Sequence, residues 1–471
     1  MKSKLLLICF SLSLSHTLSA QFVHGQSDAY ILPDEPSVVE KLEQWKDLKF
    51  GMIVHWGLYS IPGIVESWSI CSEDEDWIPR DSLADYNEYK QWYWDLSKQF
   101  NPLKFNPDQW AKAGVEAGMK YLVFTTKHHD GFCMFDTRET DFSIARGPFK
   151  DNPKADVAKY VFESFRKFGY MIGAYFSKPD WHSQDYWWKR YATSNRSNNY
   201  DVRKHPWKWE SFKQFTFKQI SELMSNYGQI DILWLDGGWV RPIPESSQNS
   251  RRWSQDIDMP KIAKMAREKQ KGLLIVDRTV HGKYENYQTP EQSIPAKQLP
   301  YPWETCMTLG KDWGYVPGQT FKSSHKVIHS LIEIVAKGGS LLLGVGPSSE
   351  GLLPDEVVSR LQEIGKWTSQ NSEAIYNTRS TKHYNDGNTW FTQSKDGKMI
   401  YAMVCLPENQ DAPSSVEWKG NTPAKGSTMI LLHTGKKVKW TVENERTIVN
   451  LPKNLPKNLP ALTFKIRLLD V

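Results

Sequence analysis

Two hydrophobic periods alternate along most of this chain. Short, nearly continuous apolar runs end on Gly or on charged residues at 49–57, 120–132, 171–177, 231–239, 272–278 and 340–347. Runs this short and this apolar predict strands buried on both faces, as in a parallel sheet. Between them apolar residues recur at helical spacing. One such helix is predicted over 107–118, with Trp110, Ala113 and Ala117 on one face and Gly118 as its stop. A second is capped by Asp156 and carries Val157, Tyr160, Val161, Phe165 and Phe168. Further helices are predicted over 212–228, 324–336 and 355–369, with a lead-in helix over 37–48. Strand and helix therefore alternate from about residue 49 to residue 370, which predicts a (β/α) barrel, with an open doubly wound sheet as the alternative. No G-x-G-x-x-G follows a strand, so the dinucleotide-binding version of that alternative is excluded. After Ile375 the period shortens to runs such as 390–393, 399–404, 427–432, 438–442 and 462–468, separated by turn signals. These predict an antiparallel β-sandwich over 376–471, following a barrel over 21–375. The proline-punctuated repeat at 451–460 reads as a loop.

Polar residues cluster where the barrel strands should end. His55 closes the first run, His128 and His129 the second, Tyr175 lies on the third, Trp234 and Asp236 on the fourth, and Arg278 closes the fifth. Loops add Glu66, Trp68 and Glu291. In a barrel of parallel strands, chemistry sits at the C-terminal strand ends. Trp234 and Asp236 are two residues apart and face one side, which puts an aromatic wall beside a carboxylate. The competing reading of Asp236-Gly237 is ordinary turn chemistry. Glycoside hydrolysis needs two opposed carboxylates. Asp236 fits the nucleophile, and Glu285, Glu291 and Glu304 are the candidate acids. A metal site is disfavoured, since His128 and His129, as neighbours on a strand, should face opposite sides, and neither H-E-x-x-H nor His-x-His occurs. There is no G-x-S-x-G elbow for a serine nucleophile.

Composition changes this picture little. With 39% hydrophobic and 24% charged residues the chain can bury a large core. Its 21 Trp, 20 Tyr and 20 Phe favour sugar stacking without requiring it. Basic Lys2 and Lys4, an apolar run over 5–14 and Leu18-Ser19-Ala20 read as a signal peptide over 1–20, placing the protein in the periplasm or outside the cell. No later stretch is long and apolar enough to span a membrane. Without Lys2 and Lys4 the net charge drops from +5 to +3, and no basic stripe suggests nucleic acid. Cys71, Cys133, Cys306 and Cys405 show no C-x-x-C spacing and read as buried free thiols.

Taken together, Ile53-Val54-His55-Trp56-Gly57, Lys127-His128-His129-Asp130-Gly131-Phe132, Trp234-Leu235-Asp236-Gly237 and Trp303-Glu304-Thr305-Cys306-Met307 resemble the α-L-fucosidases of glycoside hydrolase family 29. The resemblance covers about residues 40–375 and implies an exo-acting, retaining enzyme followed by a sandwich domain. It implies that His55, His128 and His129 bind fucose hydroxyls, that Tyr175 and Trp234 line the pocket, and that Asp236 is the nucleophile with Arg278 beside it. Glu291 is the expected acid/base, and Glu304 a structural or positioning residue. Where the family shows Glu-Trp, this chain has Glu66-Ser67-Trp68. The substrate implied is a fucosylated oligosaccharide or glycoconjugate, with no cofactor. Competing expectations are a catalytically silent fucose-binding protein and a metal-dependent barrel hydrolase.

Overall fold

A computed structural model describes residues 27, 29–71, 85–193, 195–249 and 252–467. The expected signal peptide and most of the acidic loop after Cys71 lie outside the described residues. Seven parallel strands form one sheet: β1 (Phe50–Val54), β2 (Tyr121–Lys127), β3 (Met171–Ser177), β4 (Ile232–Asp236), β5 (Leu274–Asp277), β6 (Glu304–Thr308) and β7 (Ser340–Val345). Their lateral order is β5-β4-β3-β2-β1-β7-β6. The first strand thus lies between the second and the last, which is how a sequentially wound sheet curls towards closure. A doubly wound sheet would instead reverse its order part-way.

The gap between β5 and β6 is spanned by an irregular segment, residues 284–292. Asp277 donates its amide to the Tyr284 carbonyl at 2.9 Å, and Asn286 donates to Ile275 at 2.9 Å. On the other side Glu304 donates to Gln288 at 2.8 Å, and Gln292 donates to Cys306 at 2.9 Å. The ladder groups of both edge strands are satisfied without a regular strand. Glu291 rides on this closing segment, bridged to Cys306.

Around the sheet lie α1 (Pro36–Leu48), α2 (Tyr86–Asp95), α3 (Pro107–Glu116), α4 (Val157–Lys167), α5 (Pro206–Asn226), α6 (Met259–Lys269), α7 (Ser324–Ala336) and α8 (Asp355–Ile375). Several bounds differ from the sequence expectation. α5 starts at Pro206, where a proline needs no hydrogen-bonded N–H. α8 runs to Ile375, because Asn371, Ala374 and Ile375 are buried in turns that continue past Ser369. Strand β6 was not anticipated as a strand, since Glu-Thr-Cys-Met-Thr lacks an apolar run; its polar residues are buried by partners from other strands. Asp156 stands at the N-cap of α4 but does not cap it. Its carboxylate instead accepts from the Asp136 amide and the Tyr227 hydroxyl.

The C-terminal strands are β8 (Thr378–Asp386), β9 (Thr389–Ser394), β10 (Met399–Cys405), β11 (Ser415–Lys419), β12 (Met429–Leu431), β13 (Lys436–Lys437), β14 (Lys439–Glu443), β15 (Arg446–Asn450) and β16 (Ala461–Arg467). They make an antiparallel six-stranded sheet and a three-stranded one, packed over a core containing Phe391, Trp418, Val449 and Phe464. This unit is fastened to the barrel helices. Trp367 on α8 donates to the Ala461 carbonyl at 3.1 Å, and Thr392 donates to the Ala374 carbonyl at 2.8 Å. Tyr401 and Met403 belong to the same apolar cluster as α7 and α8. The four described cysteines are free and buried.

Candidate active site

The strand ends converge on one guanidinium. Arg278, immediately after β5 and 3% exposed, uses each of its nitrogens. Nε donates to Thr289 Oγ1 at 3.0 Å, one terminal nitrogen to Asp236 Oδ1 at 2.9 Å, and the other to Glu291 Oε2 at 2.8 Å. A planar fork fixed at three points holds both carboxylates on one edge. Burial alone would lower the Arg278 pKa, but the carboxylates of Asp236 and Glu291 outweigh it and raise the group further, so it stays charged.

Asp236 closes β4. Its Oδ2 accepts from the Tyr175 hydroxyl at 2.8 Å, and its Oδ1 also accepts from the Gly237 amide at 2.8 Å. Gly237 has φ of +86°, so the turn reading of Asp236-Gly237 is realised at the same point where the carboxylate meets Arg278 and Tyr175. The other Glu291 oxygen accepts from Trp313 Nε1 at 3.2 Å. A proton donor is favoured by the drier of two settings. Glu291 is nevertheless the more open of the two, its side chain 24% exposed against 15% for Asp236, because the closing segment stands at the mouth and β4 lies deeper.

The histidines surround this pair. The rings of His128 and His129 lie 4.3 Å apart, and both face the cleft. The expectation that they point to opposite sides fails because β2 ends at Lys127, after a register shift between Thr125 and Lys127, so neither histidine is on the pleat. His128 stacks on Tyr175 at 5.8 Å and 9°, and its Nδ1 pairs with Ser67. His129 Nδ1 meets Ser177 Oγ at 2.7 Å, and Ser177 Oγ donates to the Pro179 carbonyl at 2.7 Å. A hydroxyl has one proton to give, so Ser177 must accept from His129 Nδ1–H. The neutral ring then presents an unprotonated Nε2 at 3.8 Å from Asp236 Oδ2. Burial holds His129 at a pKa of about 4 and His55 at about 3, and drives His128 well below its usual value. Charged histidines beside Asp236 would help keep it ionised. These three are uncharged near neutral pH, and that task falls to Arg278 and Tyr175. His55 Nδ1 is buried without a partner, an acceptor or donor left for a ligand.

Trp234 is 2% exposed and lies beneath Arg278, whose Cζ is 4.2 Å from its ring. Its Nε1 donates to Glu304 Oε1 at 3.2 Å, while Tyr121 donates to Glu304 Oε2 at 2.7 Å. Glu304 is therefore a floor residue in the barrel interior, away from the opening, and burial raises it to about 7. Glu285 is also turned away, bound to His281 at 2.8 Å and to the Thr279 amide at 3.0 Å. Glu66 is buried, accepts from the Gly314 amide at 2.8 Å and is raised to about 8 by desolvation. Trp68 stands edge-on to His129 at 5.1 Å, with the Arg196 guanidinium on its face at 4.8 Å. Sequence reasoning missed Ser67, Ser177, Thr289 and Trp313. Trp313 lies 5.0 Å from His55, on a loop with no strand-end signal. Among the described residues no cluster of three or more His, Cys, Asp or Glu side chains is arranged to hold a metal, and no helix is long and apolar enough to cross a membrane.

Two carboxylates sharing an arginine, enclosed by rings at the strand ends of a barrel, are the equipment of a glycoside hydrolase. The family model for alpha-L-fucosidase matches residues 17–373, and the chain belongs to that family. It is 28% identical to the plasma alpha-L-fucosidase of Homo sapiens over 429 residues, covering 88% of this chain and 86% of the relative. With a putative alpha-L-fucosidase of Caenorhabditis elegans it shares 29% over 394 residues, 79% of this chain and 75% of the other. The fold superposes on alpha-L-fucosidase isoenzyme 1 from Paenibacillus thiaminolyticus with a TM-score of 0.75, at 29% identity, covering 92% of this chain and 100% of that one. A GH29 alpha-L-fucosidase from Bacteroides thetaiotaomicron has the same fold, with a TM-score of 0.71 at 23% identity, covering 94% and 97%.

Proposed function

We propose that this protein is a retaining exo-α-L-fucosidase with Asp236 as nucleophile and Glu291 as acid/base, acting outside the cytoplasm on fucosylated glycans. The observation that carries the reading is the Arg278 bridge between Asp236 and Glu291. Two carboxylates on adjacent nitrogens of one fork suit the separation of about 5 Å that a retaining pair uses. Export is supported by the apolar N-terminal run and by relatives named plasma alpha-L-fucosidase.

Both Glu291 oxygens accept hydrogen bonds, which suits the ionised form. Glu291 takes up its proton as the sugar covers the cleft and dries it. Asp236, held ionised by Arg278 and Tyr175, attacks the anomeric carbon while Glu291 gives its proton to the leaving oxygen. The fucosyl ester on Asp236 is then opened by water, whose proton returns to Glu291. His129 Nε2 and His55 Nδ1 take sugar hydroxyls, and His128 lines the same wall. Glu66 and Trp68 border the pocket, Trp68 facing the sugar's methyl group. Trp234 acts from below, by carrying Arg278.

The test is hydrolysis of an aryl α-L-fucoside by wild type and three variants, with azide added. Asp236→Ala should be inactive and yield β-fucosyl azide on rescue. Glu291→Ala should lose most activity on poor leaving groups, and Glu304→Ala less. Activity should also survive a chelator. A wild type that binds fucose without cleaving any fucoside would return the protein to the silent-binder reading, and loss of activity with chelator would favour a metal enzyme.

A further inference from the structure

The loops after β3 and β4 carry a second concave surface that the mechanism above does not use. A cavity of about 430 Å³ lies between the β3–α5 loop and the β4–α6 loop, lined by Tyr191, Asn199, Tyr200, Arg203, His205 and Trp253. Both loops leave the C-terminal ends of the strands that bear Tyr175 and Asp236, so the cavity opens on the catalytic face. The same β3–α5 loop places Trp181 against His129 at 5.2 Å. Trp181 stacks on Trp187 at 5.0 Å and 7°, and the next residue, Trp188, meets Tyr191 at 5.5 Å, so the same stretch of chain borders both the candidate pocket and the cavity.

The lining is held in place as a binding surface is. Asn199 donates to the carbonyls of Trp188 and Tyr191, both at 2.9 Å, and Trp253 donates to Asn198 Oδ1 at 2.6 Å. Arg203 grips Asp201 through two nitrogens, at 2.9 and 2.7 Å, with the guanidinium half in solvent. The Tyr191 hydroxyl pairs with His205 Nε2 at 3.2 Å. Yet Tyr191 remains 40% exposed, and the Trp253 ring lines the same cavity. Large rings left in water on a fixed framework of hydrogen-bonding groups match a pyranose, whose C–H face stacks while its hydroxyls bond.

We propose that this cavity is an accessory sugar-binding site that holds neutral sugar units of the glycan chain from which the fucose is removed. The proposal rests on the fucosidase reading for its purpose, but the binding it predicts does not require cleavage.

The test therefore has two arms. In the first, wild type, Tyr191→Ala and Trp253→Ala, both substitutions in the cavity's lining, are compared on an aryl α-L-fucoside and on a fucosylated N-glycan. Loss of one stacking ring should raise KM for the glycan about tenfold and leave the aryl fucoside within about twofold. Equal kinetics on both substrates in both variants overturns the proposal, as does an equal loss on both, which would make the rings structural supports of Trp181. In the second arm, lacto-N-tetraose, which carries no fucose, is titrated into Asp236→Asn and followed by tryptophan fluorescence. Millimolar binding that Tyr191→Ala weakens about tenfold supports the site. No binding, or binding that Tyr191→Ala leaves unchanged, overturns it. Failure of the fucosidase reading would show separately, as a wild type inactive on both fucosides that still binds the fucose-free sugar.

Discussion

At the scale of single residues, small hydroxyls decide what the large rings can do. Ser177 has given its proton to Pro179, so it fixes His129 with the hydrogen on Nδ1 and leaves Nε2 as an acceptor beside Asp236. In Ser177→Ala that constraint disappears and the imidazole can carry its hydrogen on either nitrogen. The Pro179 carbonyl loses its donor as well, in a site with almost no exposure. A lost hydrogen bond of this kind costs about 1–3 kcal/mol, and where that loss falls on the transition state kcat/KM on an aryl fucoside should fall between about fivefold and about 150-fold. Steady-state kinetics checks this, and an unchanged kcat/KM would remove Ser177 from the site. The sequence could propose His55, His128, His129, Asp236 and Arg278, because a run of apolar residues ending on a polar one marks a strand end. It could not propose Ser177 or Ser67, since nothing local separates a serine that orients a histidine from any other serine. Trp313 is 22 residues from the Glu291 it bonds, and Gly314 is 248 residues from Glu66. Such partnerships exist only once the barrel has formed.

The segment that closes the barrel is the element with most resting on it. Residues 284–292 have no period of their own, and neither the closing segment nor the short strand β6 was legible as an element. Their pattern is polar because they are stabilised across the barrel, by Arg278, Tyr121 and the strand edges. The apolar strands and amphipathic helices, by contrast, were legible because each declares its period locally. Asn286 is the pin of the segment. Its Oδ1 accepts from the buried Ile275 amide at 2.8 Å and from Arg267 at 3.2 Å, and its carbonyl accepts from Tyr30 at 3.0 Å. Asn286→Ala leaves the Ile275 amide unpaired and should cost about 1–3 kcal/mol of stability. Because Glu291 rides on the same segment, the loss should extend to activity on poor leaving groups, while aryl fucosides with good leaving groups are spared. Denaturant unfolding and the ratio of the two activities read the two effects. A destabilised variant with an unchanged ratio would mean that Glu291 is placed by Arg278 and Trp313 alone.

The whole molecule buries ionisable groups of opposite tendency, and their balance sets its response to pH. His55 and His129 are held at about 3 and about 4 by burial, and His128 is also driven well down. Unfolded, each would titrate at its ordinary value of about 6.5. Below that pH the unfolded chain binds protons that the folded chain refuses, so stability falls as pH falls. Glu66, Glu304 and Asp130 behave in the reverse sense, raised by burial to about 8, about 7 and about 7. Their folded forms keep protons that the unfolded chain has already lost, so stability falls as pH rises from near 4 towards 8. Between about 4.5 and 6.5 the two sets oppose each other and nearly cancel; just above that window the carboxyl slope dominates, until Lys49, which burial lowers to about 7, opposes it from near pH 7 upward. Melting temperature measured from pH 4 to 7.5 should therefore show a plateau on the acidic side of neutrality and decline on both flanks. Glu66→Gln keeps the shape and the neutral state of the buried carboxyl, so it should flatten the alkaline decline without touching the acidic one. A melting temperature that climbs steadily to pH 7.5, or a Glu66→Gln profile parallel to wild type, would mean that Glu66 is ionised in the folded chain. Its hydrogen bond to Gly314 would then be charge-assisted.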